Sequence, residues 1–227
     1  MFYKNIIKRL LDIVVALAGL PILLFFCALA APIIHLEDGG PVFYCANRIG
    51  RHGKLFTMYK FRSMKVNAPD IRLKDGSTYN GDNDPRVSRI GHFLRRTSVD
   101  ELPQLINILK GEMSLIGPRP DPPDWLLRYP KEVKVFLTAR PGITGFNQAY
   151  YRNLADSGEK MQNDVYYALH CSFRLDVRIF FKTIAMVFLQ KNTTRCNTEI
   201  WVEAGQTLQA DIIAGKGKES NGTQARS

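Results

Sequence analysis

Apolar residues change their spacing along the chain, and each change predicts an element. Residues 10–34 form a nearly continuous apolar run, broken by Asp12, Gly19 and Pro21, and about 20 apolar residues suffice to cross a bilayer. Three readings fit the run. The basic lead-in of Lys4, Lys8 and Arg9 and the Ala28-Leu29-Ala30 triplet fit a secretory signal peptide, which the length of the run and Asp12 oppose. A single spanning helix is the second. A re-entrant helix bent near Pro21, where a helical hydrogen bond is missing, is the third. Lys4, Lys8 and Arg9 before the run, and Arg48, Arg51, Lys54, Lys60, Arg62 and Lys65 after it, hold both ends on the cytoplasmic side and favour re-entry.

Gly39-Gly40-Pro41 predicts a turn, followed by strands over 42–45 and 55–61 with Gly50 and Gly53 between them, a β-hairpin. Alternation places Phe56, Met58, Lys60 and Arg62 on one face, so both cations can reach one anion. Residues 67–85, with Asp, Asn, Gly and Pro, predict a mobile loop able to close over a substrate. Ser98 and Glu101 have the S-x-x-E spacing of a capping box, and Leu102, Leu105, Ile106 and Leu109 follow as one apolar helical face. That helix ends at Gly111, and Pro103 allows its start to fall a residue or two later. Residues 125–137 read as a helix interrupted by Pro130. In 175–190, Ile179, Phe180, Phe181, Ile184, Val187 and Phe188 oppose Arg178, Lys182 and Gln190; such a helix lies in a membrane interface or against the core. From residue 215 onward the polar sequence predicts disorder. The expected fold class is α+β, helix-dominated, with an N-terminal re-entrant membrane helix, a small β-hairpin and amphipathic interfacial helices.

Composition narrows the partners. The 227 residues hold 31 Lys and Arg against 21 Asp and Glu, a net charge of +10, which points to nucleic acid, anionic lipid or a phosphorylated substrate. Zinc-finger spacing and RNP-type aromatic motifs are missing, so no nucleic-acid partner is expected. Cys27, Cys45, Cys171 and Cys196, and His35, His52, His92 and His170, lack metal-ligand spacing; the thiols read as reduced and structural.

Chemistry concentrates in residues 97–120, TSVDELPQLINILKGEMSLIGPRP. Asp100 and Glu101 are neighbours, so on a helix they project about 100° apart and have separate jobs. Acids in a first helical turn are ordinarily caps, and the pattern alone leaves that reading open. Their company argues for more. Arg86, Arg89, Arg95 and Arg96 precede them with no acid between, and Arg119 stands between Pro118 and Pro120, with little freedom to lose on binding. A carboxylate pair ringed by arginines suits phosphate chemistry, the arginines binding the anion and the acids holding a metal or attacking phosphorus.

Three motifs in order, YKFRSM at 59–64, SVDELPQLINILKGEMSLIGPRP at 98–120 and RPGITG at 140–145, closely resemble the bacterial sugar transferase family, the monotopic phosphoglycosyl transferases. The resemblance covers residues 8–189. It implies transfer of a sugar-1-phosphate from a UDP-sugar to polyprenyl (undecaprenyl) phosphate with release of UMP, a first step of surface glycan assembly. The expected place is the cytoplasmic face of the bacterial inner membrane, in contact with membrane lipid. The resemblance implies Asp100 as the nucleophile that forms an aspartyl-phosphosugar intermediate, and Glu101, with Asp100, as the holder of Mg²⁺. It assigns Arg95, Arg119 and Arg152 to substrate binding, joined by Lys60 and Arg62.

Asp12 matches a family acid after a Lys-Arg pair and is expected to pair with Lys8 and Arg9, and Asp164-Val165-Tyr166-Tyr167 matches a helix packed on the core. Two departures stand out. Leu20 replaces the family serine before the helix-breaking proline and cannot hydrogen-bond the freed backbone. Phe146-Asn147 replaces Trp and a small residue before Gln148. The expected organisation is a re-entrant helix over 1–36, a membrane-associated catalytic domain over 37–200 and a polar tail over 201–227. Two other classes compete: a non-catalytic basic membrane-surface adaptor, and a transferase that forms a glycosidic bond and releases UDP. Glucose, galactose and N-acetylated amino sugars all suit the pattern, which sets no oligomeric state.

Overall fold

A long N-terminal helix lies along the side of the other described elements. The computed structural model describes residues 2–71, 84–151 and 157–189; the tail expected over 201–227, most of the 67–85 loop and Arg152 lie outside them. A π-helical turn at Tyr3–Ile7 leads into helix α1 (Lys8–Asp38), and together Tyr3–Asp38 is long and apolar enough to cross a membrane. Pro21 and a second proline, Pro32, both lie within α1. Asp12, Ala16, Leu23, Ala30 and Ile34 are buried at helical spacing, a single stripe against the body, whereas Leu10, Val14, Leu17, Leu24, Phe25 and Leu36 are exposed.

Both ends of α1 hold the same body. At the start, Arg9 donates to the Ile108 carbonyl at 2.6 Å and the Leu109 carbonyl at 3.1 Å. Asp12 accepts from Ser114 Oγ at 3.0 Å and the Leu115 N–H at 2.9 Å. At the far end, Asp38 takes the Arg62 guanidinium at 2.5 and 2.8 Å, and Glu37 accepts from the Arg89 N–H at 2.7 Å. The expected pairing of Asp12 with Lys8 and Arg9 therefore does not form. Lys8 instead reaches Asp176 at 2.7 Å, and neutral donors from the next layer take one of the two Asp12 oxygens.

Strands β1 (Phe43–Ile49) and β2 (Leu55–Phe61) form the expected antiparallel hairpin, in register from Phe43 opposite Phe61 to Ile49 opposite Leu55. β1 outruns the predicted 42–45 because the ladder to β2 carries Ala46, Asn47 and Arg48, none a strong strand former. Helix α2 (Arg89–Thr97) starts at Ser88, whose hydroxyl accepts from the Gly91 N–H at 3.1 Å. It ends at Ser98, with φ at 59°.

A 3₁₀ turn over Val99–Glu101 then runs into α3 (Gln104–Lys110), which Gly111 closes at φ 85°. The expected capping box is thus absent: Ser98 terminates one helix instead of opening the next, and Glu101 turns its carboxylate elsewhere. The apolar face also shifts. Leu105 and Ile108 are buried with Gln104 and Asn107, while Ile106 is 38% exposed.

Asn107 fastens α3 to the hairpin. Its Oδ1 accepts from the Tyr59 N–H at 3.1 Å, and its Nδ2 donates to the Thr57 carbonyl and to Glu112 Oε2, both at 2.7 Å. A side-chain amide thereby occupies the outer edge of β2, where backbone groups would otherwise lack partners. Asn107→Ala should cost about 2–4 kcal/mol, because it strands buried donors and acceptors; a urea titration that moves less than 1 kcal/mol, on the order of one ordinary hydrogen bond, would contradict this.

A second sheet pairs β3 (Ser114–Ile116) with β4 (Gly142–Thr144) in parallel. Between them α4 (Trp125–Arg128) and a 3₁₀ segment at Lys131–Thr138 are separated at Pro130, as the sequence predicts. Helices α5 (Phe146–Tyr150), α6 (Ser157–His170) and α7 (Phe173–Leu189) complete the layer. Asp164, Val165 and Tyr167 of α6 are buried, as expected of a packing helix, and the Tyr167 hydroxyl lies 3.0 Å from the Ile116 carbonyl and 2.8 Å from Asp176. On α7, Ile179 is buried while Phe173, Phe180, Phe181 and Ile184 are exposed; the side chains of Val187, Phe188 and Gln190 lie outside the described residues. The architecture is α+β and helix-dominated.

Candidate active site

The two acids sit on the 3₁₀ turn between α2 and α3, with Val99 buried beneath as the anchor. Asp100 is 8% exposed, and its carboxylate makes no hydrogen bond or ion pair among the described residues. Burial pushes it up to about 6, against the pull of Lys60, Arg119 and Arg95 and with help from the charge of Glu101.

Glu101 has the opposite environment. Its Oε1 accepts from Lys60 Nζ at 2.7 Å and from Arg119 Nη2 at 2.9 Å. Burial would raise it, but Arg119 and Lys60, by charge and by hydrogen bond, bring it down to about 2. Its second oxygen has no hydrogen-bond donor among the described residues. The pair therefore divides into a permanently ionised acid that gathers cations and a buried, unengaged acid that titrates close to neutrality.

Lys60 comes from β2, largely buried, and desolvation holds it below its ordinary value despite Glu101. Arg119 is supplied by the Gly117-Pro118-Arg119-Pro120 turn, its side chain 41% exposed and so able to leave Glu101 for a ligand. Arg95 lies in the last turn of α2, its Nε on Ser63 Oγ at 2.9 Å, and its charge acts on Asp100. Lys60, Arg95 and Arg119 thus converge on the acids. Arg62 does not: its guanidinium is spent on Asp38 and the Ile34 carbonyl at 3.1 Å. Strand alternation put Lys60 and Arg62 on one face, but Arg62 falls just past the end of β2, where the chain turns toward α1. Arg86 is likewise held by the buried Asp84 at 2.7 Å.

Long-range contacts hold the arginine turn, and nothing local in the sequence signals them. The Gly117 N–H donates to the Thr144 carbonyl and the Gly142 N–H to the Pro118 carbonyl, both at 2.9 Å. RPGITG is therefore a strand that clamps the turn. Just past it, Asp121 pairs with Lys160 and accepts from the Tyr129 hydroxyl at 2.7 Å. Asn147, one of the departures noted above, points into this layer, donating to Asp164 Oδ1 at 2.9 Å and accepting from Asn163 at 2.9 Å.

A helix-dominated body lies along one apolar helix, and an acid pair sits among three cations. Comparison identifies the family: the model of the bacterial sugar transferase family matches residues 3–190, and the chain belongs to it. The galactosyl transferase CpsE of Streptococcus agalactiae is 42% identical over 83% of this chain and 44% of its own length. The undecaprenyl-phosphate galactose phosphotransferase of Salmonella typhimurium is 40% identical over 81% of this chain and 41% of its own. The exopolysaccharide production protein ExoY of Sinorhizobium fredii is 36% identical over 83% and 88%. The chain spans less than half the length of several of its curated relatives, CpsE and the Salmonella protein included.

Proposed function

We propose that the protein is a phosphoglycosyl transferase that moves a sugar-1-phosphate from a UDP-sugar to polyprenyl phosphate. The observation that carries this reading is Asp100, a buried carboxylate with no partner among the described residues, beside a second carboxylate that collects Lys60 and Arg119. A capping acid would be engaged with backbone N–H groups, and a non-catalytic basic adaptor has no use for a buried, unengaged acid. The name of the Salmonella relative, an undecaprenyl-phosphate galactose phosphotransferase, supports the same class of reaction.

In this mechanism one oxygen of ionised Asp100 attacks the phosphorus that bears the sugar. The anhydride bond to UMP breaks, its electron pair leaves with UMP, and an aspartyl-phosphosugar remains. A phosphate oxygen of polyprenyl phosphate then attacks the same phosphorus, the bond to Asp100 breaks, and the carboxylate is restored. Arg119 swings from Glu101 to the diphosphate while Lys60 and Arg95 balance charge around the reacting centre. Arg152 joins them as a proposed substrate-binding residue.

The donor set fits Mg²⁺, which takes one or two carboxylates and completes its shell with water and substrate phosphates: among the described residues nothing claims the second Glu101 oxygen or Asp100. Bound there, the ion would neutralise diphosphate charge and favour departure of UMP.

The proposed setting is the cytoplasmic face of the inner membrane. Support comes from α1, whose two ends grip one body while its outer face is apolar along its length. A helix that crossed the bilayer would put these ends on opposite sides, so the contacts favour re-entry. The decisive assay supplies the solubilised protein with Mg²⁺, polyprenyl phosphate and a panel of UDP-sugars led by UDP-galactose and UDP-N-acetylgalactosamine. UMP release with one sugar is expected. Release of UDP would instead establish glycosidic-bond formation, and inertness across the panel would leave the adaptor reading standing.

A further inference from the structure

The turn that supplies Arg119 also carries an acid. Asp121 stands two residues on, across Pro120, and its charge bears on the Arg119 guanidinium. Because the Arg119 side chain is only half-buried, an acid so placed competes for it. Pairing with Glu101 keeps the guanidinium inside the site, whereas pairing with Asp121 would hold it on its own turn. The structure shows the first arrangement, and both Asp121 oxygens are engaged elsewhere. Oδ1 takes Lys160 Nζ, and Oδ2 accepts from the hydroxyl of the buried Tyr129 at 2.7 Å.

Nothing in its own helix directs Lys160 to Asp121. On α6 it lies one turn before Asp164, the i,i+4 partner that a helix ordinarily offers. Two features withhold Asp164. Its Oδ1 accepts from Asn147 Nδ2 at 2.9 Å. Burial, with the charge of Asp121 and against Lys160 and the Asn147 bond, also lifts its carboxyl to about 7, so a large part of it is neutral near neutral pH. The same Asn147 amide donates to the Lys160 carbonyl at 3.2 Å, which fixes the turn of α6 from which the ammonium reaches across to Asp121.

We propose that Lys160 is a positioning residue of the transferase site: with the Tyr129 hydroxyl it occupies both oxygens of Asp121 and so keeps that acid from drawing Arg119 away from the substrate diphosphate. The proposal rests on the phosphoglycosyl transferase reading above. Lys160 touches no reacting atom in this scheme. It acts through Asp121, and the effect falls on the free enzyme, since the competition ends once the diphosphate holds Arg119.

The test is steady-state UMP release by the full solubilised chain, with variants checked for an intact fold by circular dichroism. Lys160→Met should raise KM for the UDP-sugar about tenfold, the order expected of a charge-assisted hydrogen bond that must first be broken, with kcat within about twofold of the parent. Adding Asp121→Asn should return KM to the parent's value. Asp121→Asn alone should leave KM unchanged, whereas a charge acting only at a distance would lower it. Tyr129→Phe, which frees the other oxygen, should raise KM more weakly and be rescued in the same way; it serves if Lys160→Met does not fold. A parental KM in Lys160→Met, or a raised KM that Asp121→Asn fails to restore, would overturn the proposal. A second readout does not need turnover. Phenylglyoxal labelling of Arg119, followed by peptide mass spectrometry, should slow severalfold in Lys160→Met and recover in the double variant. If the parent releases no UMP with any sugar, the reaction reading fails, and the labelling alone decides whether Lys160 withholds Asp121 from Arg119; equal rates in parent and Lys160→Met would show that it does not.

Discussion

Asp100→Asn should abolish UMP release, by at least about a thousandfold as expected for loss of a nucleophile, while leaving the protein as stable as the parent or more so. The two effects share one cause. Burial raises Asp100 to about 6, so the fold favours the neutral carboxyl and works against the ionised form that attack requires. As pH rises from the ordinary value of 3.8 through 6, the parent releases a proton in a place that disfavours charge, and its stability falls relative to the amide variant. The gap should open across that window, reach on the order of 2–3 kcal/mol, and stay level above it.

Activity runs the other way. kcat/KM should fall about tenfold per unit as pH drops below 6, because Asp100, the proposed nucleophile, becomes protonated. Glu101 adds no step there, since Arg119 and Lys60 keep it ionised down to about 2. Denaturation of both proteins at pH 4, 6 and 8, with a pH–rate profile of the parent, measures all of this. Turnover by the amide variant at the parent's rate would sink the covalent mechanism. An amide variant less stable than the parent at pH 8 would show that the carboxylate has a structural partner.

How much of this was legible follows from the range of the interactions involved. The apolar run, the hairpin, the break at Pro130 and the stop at Gly111 depend on residues close in sequence, where period, turn chemistry and backbone preference act directly. The acid pair and its proline-framed arginine were visible as a motif. Partner choice was not. Lys8 had Asp12 one turn away, yet pairs with Asp176, across most of the chain. Arg62 sits two residues from Lys60 in sequence but serves α1 instead of the site. Ser98 and Glu101 show how a local pattern misleads: the spacing is that of a cap, but Ser98 is needed to turn the chain out of α2, and Glu101 gains more from two cations than from one backbone N–H. Asn107, a polar residue on a buried face, reads as a flaw in the helix until the edge of β2 is placed beside it.

Gly142→Ala should be among the most damaging single-methyl changes in the protein. A Cβ there would stand 2.1 Å from the Gly117 nitrogen, 2.3 Å from the Thr144 carbonyl oxygen and 2.7 Å from the Ile116 carbonyl carbon. All three are backbone atoms, so no rotamer change can relieve the contact, and β3 and β4 must separate. A loss of more than about 3 kcal/mol is expected, the scale of severe overpacking. Gly39→Ala is the informative comparison: its φ is +70° but no atom lies within 4 Å of the added carbon, so only backbone strain of about 1 kcal/mol applies. If Gly142→Ala melts within a degree or two of Gly39→Ala, the strands are not the clamp described here. If it is far less stable but still folds at low temperature, KM for the UDP-sugar should rise with it. Gly117 and Pro118 carry the hydrogen bonds to β4, and the next residue is Arg119, so parting the strands moves the guanidinium away from Glu101 and from the proposed diphosphate position together.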